Sequence, residues 1–121
     1  GEFSRLYQFA KLFLFHPSSA FFTCPLAMAD GAAKVFEVFG KTDFHKTAIQ
    51  HLTSVDPEEF WTSGQWMTER TGGSDVSLTS TRAKVQGNEV RLYGVKWFSS
   101  ATTSEIALAL ARYEDSPEGS K

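Results

Sequence analysis

Two short stretches hold residue types suited to ligand chemistry. The first is Met67-Thr68-Glu69-Arg70-Thr71-Gly72-Gly73-Ser74-Asp75, and the second follows about twenty residues later as Gly94-Val95-Lys96-Trp97-Phe98-Ser99-Ser100-Ala101. Hydroxyls, free backbone amides and two adjacent glycines in the first stretch allow the chain to approach a phosphate group or the polar edge of a ring system closely. Taken alone, an ordinary turn with an aspartate cap explains Gly-Ser-Asp at least as well. Each stretch by itself is a weak signal.

Other reactive side chains offer less. His45 and His51 stand six residues apart, which points them in different directions around a helix and gives no metal-ligand spacing. Cys24 has no neighbouring base, His16 being across a turn, and reads as a buried, unreactive thiol. Trp61 and Trp66 lack the surrounding positive charge of a nucleic-acid stacking platform and read as core residues.

The elements that position these residues change character near the middle of the chain. Ser4 to Phe15 mixes helix formers with a wide apolar face and predicts a helix buried on most sides. His16-Pro17-Ser18-Ser19 ends it. A second helix is predicted from near Pro25, capped by Thr23 or Cys24, as far as Gly40. Thr42 or Asp43 caps a third through Leu52, and Asp56-Pro57-Glu58-Glu59 predicts one more helical turn. After Trp61, β-branched residues and glycines take over. Leu78 to Gln86 and Glu89 to Val95 flank Gly87-Asn88 and predict a hairpin. The alternation of Ile106, Leu108 and Leu110 with alanines predicts a further strand, and Ser116 to Lys121 a solvated tail.

This order is α+β, helices first and then antiparallel strands, with a boundary at Thr62 to Gln65 that divides the chain into 1–61 and 62–121. Some sixty residues a side is little for an independent core, so the chain reads as cut from something larger. The 121 residues are 41% hydrophobic, which supports a packed core, and most of the 11 phenylalanines precede the midpoint. Twelve basic and 14 acidic residues are interspersed to a formal charge of -2, with no basic stripe for nucleic acid. No apolar run approaches the roughly 20 residues of a membrane span, and no signal-peptide pattern opens the chain. A single cysteine is compatible with a reducing compartment, whether cytosol, mitochondrial matrix or peroxisome.

The two stretches together, in this order and spacing, resemble the middle domain of the acyl-CoA dehydrogenase family. Thr68, Glu69, Gly73, Ser74 and Asp75 fill its first motif, and Gly94, Lys96, Phe98 and Ser100 its second. Cys24-Pro25, Leu52-Thr53-Ser54 and Lys96-Trp97-Phe98 look most similar to the AidB-type branch. The resemblance implies the end of an N-terminal helical domain followed by part of an antiparallel β-barrel middle domain, with FAD as cofactor. Met67 and Thr68 are expected at the flavin pyrimidine and N5 edge, and Gly73 and Ser74 near the pyrophosphate. Trp97 and Phe98 are expected against the isoalloxazine, and Ser100 with its hydroxyl toward N5 or O4. Arg70 departs from the proline common in relatives. It would add charge near the phosphates or face solvent.

The implied reaction is α,β-dehydrogenation of an acyl-CoA or related small substrate, with hydride transfer to flavin. None of Glu58, Glu59, Glu69 or Glu105 has the context of the family's base, so the base is expected outside this chain, and the segment alone is expected to be inactive. A homo-oligomeric full-length form is also implied. An AidB-like protective or regulatory flavoprotein, and a structural piece without cofactor, are the alternatives.

Overall fold

The computed structural model describes residues 1–116. Two compact units divide the chain, Gly1–Ser63 and Gly64–Lys121. The first is helical, with α1 at Ser4–Phe15, α2 at Thr23–Phe39 and α3 at Asp43–Leu52. The second holds β2 at Arg82–Gln86, β3 at Glu89–Tyr93, β4 at Ile106–Ala109 and β5 at Arg112–Tyr113, and β1, Ser63–Trp66, opens it. The predicted tail lies, from residue 117 on, outside the described residues.

In the helical unit the core is built from small side chains. Ala29, Ala32 and Ala33 of α2 are buried, as are Ala48 and Leu52 of α3. Alanine on the facing surfaces lets the two helix backbones approach closely. The start of α3 is specified by a capping box, in which the Thr42 hydroxyl accepts from the His45 amide and the His45 ring accepts in return from the Thr42 amide. The helix-breaking segment after α1 is a 3-10 turn at His16–Ser18.

Four expectations fail here for physical reasons. α1 was expected to be buried on most sides, yet it has no buried residue, and Phe13 and Leu14 are among its most exposed side chains. Periodicity reports the width of an apolar face and not what covers it. Within the unit α1 is tied to α2 by Arg5, whose guanidinium lies 2.6 Å from Asp30. The start of α2 lacks a side-chain cap, because the Thr23 hydroxyl sits 2.8 Å from the His16 ring and the helix begins directly from Phe22. Cys24 is exposed and not buried. Asp56 to Phe60 closes as a hydrogen-bonded turn without becoming a helix, with the Asp56 carboxylate accepting from the Glu58 amide.

Hairpin β2–β3 forms in the predicted register, Val85 opposite Val90 and Gln86 opposite Glu89. Gly87 at φ 63° takes the first turn position, where a side chain would be strained. The strand itself starts at Arg82 and not at Leu78. Residues Val76–Leu78 form a 3-10 turn, and the amides of Ser80 and Thr81 are used by the Glu69 carboxylate instead of a neighbouring strand. β5 joins β2 in parallel, Arg82 opposite Arg112, which corrects the all-antiparallel expectation. The chain runs through β4, which pairs with β1 in a separate two-stranded sheet, before returning to β2. Two small sheets result, and no closed barrel is present among the described residues. No helix among them is long and apolar enough to cross a membrane.

Candidate functional site

The node of the second unit is a buried carboxylate. Glu69 lies at the first position of a tight turn in which Glu69 and Gly72 exchange backbone hydrogen bonds of 3.0 and 3.1 Å. Its Oε1 accepts from the Thr81 hydroxyl at 2.6 Å, the Thr81 amide at 3.0 Å and the Lys96 ammonium at 2.8 Å. Its Oε2 accepts from the Ser80 hydroxyl at 2.6 Å and the Ser80 amide at 2.7 Å. Burial pushes the Glu69 carboxyl up. The bonds from Lys96, Ser80 and Thr81 outweigh burial and hold it far below the usual carboxylate range. A carboxylate so fully satisfied is a structural anchor and a poor proton acceptor.

The anchor joins the two motif stretches. Lys96 Nζ also reaches the Met67 carbonyl at 3.4 Å, and the Trp97 amide donates to the Thr68 carbonyl at 2.9 Å. Met67 and Thr68, both half-buried, are thereby set beside Trp97. Gly73 completes the same corner, since a Cβ there would lie 2.8 Å from Thr68 Cγ2 and 3.0 Å from its hydroxyl. The expected reason for this glycine was approach to a ligand, whereas the structure shows approach to Thr68.

Trp97 and Phe98 form an edge-to-face pair, ring centroids 6.0 Å apart and planes at 81°, and remain 51% and 75% exposed. Phe98 has φ 57° and Ala101 φ 55°, a conformation that side-chain-bearing residues adopt at a cost and that clusters at functional sites. Ser100 is exposed, and its carbonyl, not its hydroxyl, accepts from the Trp66 indole at 2.8 Å. Ser74 is likewise exposed. Asp75 caps the following turn by accepting from the Ser77 amide at 2.9 Å, so for this residue the ordinary turn-cap explanation holds. The structure therefore brings Met67, Thr68, Gly73, Trp97 and Phe98 into one corner, with Ser100 at its end.

Sequence reasoning missed Thr79, Ser80, Thr81 and Trp66. A run of three hydroxyl residues ten positions after a glutamate in a glycine-rich turn was the available signal. Trp66 carried none, since its partner is a backbone carbonyl 34 residues away. The histidines serve local structure: His45 in the capping box, and His51 stacked on Trp61 at 4.4 Å while donating to the Glu59 carbonyl.

Comparison with known proteins places this corner in context. Residues 64–121 match the family described as acyl-CoA dehydrogenase, middle domain. The chain is 47% identical over 117 residues to acyl-CoA dehydrogenase family member 11 of Caenorhabditis elegans, covering 93% of this chain and 19% of that protein. It is 46% identical over 50 residues to the putative acyl-CoA dehydrogenase AidB of Escherichia coli (strain K12), covering 40% of this chain and 9% of that protein. Among solved structures, Bd2924 in its apo-form superposes with a TM-score of 0.90 at 53% identity, covering 98% of this chain and 25% of that one. Caenorhabditis elegans ACDH-11 in complex with C11-CoA superposes with a TM-score of 0.83 at 48% identity, covering 94% and 20%. The chain thus spans a quarter or less of the length of these relatives.

Proposed function

Because the chain belongs to the acyl-CoA dehydrogenase family, we propose that it contributes one edge of a flavin cleft to an FAD-dependent dehydrogenase acting on acyl thioesters. The helices of residues 1–61 belong, on this reading, to the end of an N-terminal helical domain, and residues 62–121 to the first part of a β-barrel middle domain. The observation that carries the proposal is the exposed Trp97–Phe98 pair fastened beside Thr68 by the 2.9 Å bond from the Trp97 amide. An apolar wall with hydroxyls at its margin suits a planar, partly polar ring, and the residues present fit such a group.

FAD, when bound, supplies the hydride acceptor. Trp97 and Phe98 cover an apolar face and exclude water from it. The Thr68 and Ser100 hydroxyls and the Met67 backbone would donate to the polar edge of a bound flavin, and Gly73 and Ser74 would serve its phosphates. Glu69 and Lys96 hold these groups in place and do not touch the reacting atoms. The proton-abstracting carboxylate comes from outside this chain, so residues 1–121 alone are inactive. The full-length form is proposed to be a homo-oligomer. Acyl-CoA as substrate is supported by the C11-CoA complex of the ACDH-11 relative.

Purified full-length protein should carry flavin absorbance that bleaches anaerobically when a saturated acyl-CoA is added. Colourless protein that takes up no added FAD would exclude the proposal. The stretch shared with AidB favours a second reading, an AidB-like flavoprotein with a protective or regulatory task. Flavin that is retained but never bleached by acyl-CoA would support that one.

A further inference from the structure

Trp66 lies on β1 two residues after Gly64, so both side-chain positions share one face of the strand. The indole rests against the bare Cα of Gly64. A Cβ added at Gly64 would lie 2.9 Å from Trp66 Nε1, 3.2 Å from Trp66 Cε2 and 3.2 Å from the Ala107 Cβ of β4. Packing alone would need only the rings. The indole N–H, however, is aimed at the Ser100 carbonyl at 2.8 Å.

The segment it reaches is held at a second point, where the Trp97 amide donates to Thr68. Phe98 at φ 57° lies between these two anchors, and Ala101 at φ 55° directly follows the second. Neither residue favours that conformation, so something outside the segment must hold it. We infer that Trp66 is a positioning residue whose indole N–H fixes the left-handed Phe98–Ala101 corner and thereby the orientation of the Trp97–Phe98 pair. The link to flavin rests on the function proposed above, whereas the clamp on the corner stands on its own geometry.

The test uses the full-length protein and the variant Trp66→Phe, which keeps an aromatic ring and deletes the N–H. Amide hydrogen exchange is followed at Trp97 and at Ser104, whose amide donates to the Ala101 carbonyl at 3.1 Å, and, as a reference, across the β2–β3 hairpin, together with the dissociation constant for added FAD. Loss of one net hydrogen bond is worth roughly 2- to 13-fold, and that is the rise expected in both exchange within 97–104 and FAD dissociation, with the hairpin unchanged. Trp66→Phe combined with Ala101→Gly should recover most of the loss, because glycine takes a positive φ without strain. Gly64→Ala, which displaces the indole, should reproduce the effect of Trp66→Phe. Unchanged exchange at 97–104, or exchange that rises equally in the hairpin, would overturn the clamp. Selective exchange in a protein that binds no FAD would support the clamp and overturn the flavin reading.

Discussion

The Lys96 ammonium lies 2.8 Å from the Glu69 carboxylate with both side chains almost wholly buried, 9% and 3% exposed. Removing one partner of such a pair leaves an uncompensated charge and costs about 3–5 kcal/mol. Lys96→Met keeps the aliphatic stem, so the loss is one of charge and donors. A fall of that size is expected in urea unfolding free energy. A loss below about 1 kcal/mol would show that the Ser80 and Thr81 donors satisfy Glu69 without Lys96.

The same carboxylate sets an acid limit. Its folded-state carboxyl is held well below the unfolded value of about 4.3, so its contribution is fully present above that pH. The contribution is lost progressively as the pH falls below about 4 toward the folded value. Wild type and Glu69→Gln should differ by a constant amount from pH 7 to about 5 and converge in more acid solution. Parallel stability curves down to pH 2.5 would contradict this.

Gly73→Ala brings a methyl group to 2.8 Å from Thr68 Cγ2, and overpacking of this kind costs about 1–3 kcal/mol. Thr68→Ser removes that methyl and should restore part of the loss in the double variant. Thermal melts of the single and double variants give the answer. Additive losses would mean that the two residues do not press on each other.

How much of this could be read from the sequence depended on the range of the interaction. The Thr42 cap, the Gly87-Asn88 turn and the break after Phe15 are local, and the sequence announces them. The boundaries of β2 are not local, because Ser80 and Thr81 look like strand residues until their amides are seen to serve Glu69. The two motif stretches were legible as a pair by their order and spacing. What joins them, Lys96 on Glu69 and Trp66 on Ser100, spans 27 and 34 residues and leaves no local trace. The parallel return of β5 to β2 and the exposure of α1 are decided by neighbours that periodicity does not name.

Cys24 illustrates that limit in a form open to a simple assay. Its place at the entry of an apolar helix suggested burial, but the thiol is exposed. In residues 1–121 it should react with a thiol reagent as fast in native buffer as in denaturant. Protection in the native state would show that another surface covers it.

Whether Trp97, Phe98 and Ser100 form the proposed flavin edge is decided by FAD titration of full-length variants. Trp97→Ala and Phe98→Ala should each weaken FAD binding by roughly 2- to 13-fold or more, through loss of stacked apolar contact. Ser100→Ala should retain FAD and slow its reduction by acyl-CoA, by roughly tenfold for one lost donor. Equal FAD affinity and equal reduction rates across stably folded variants would show that these three residues do not form a flavin edge.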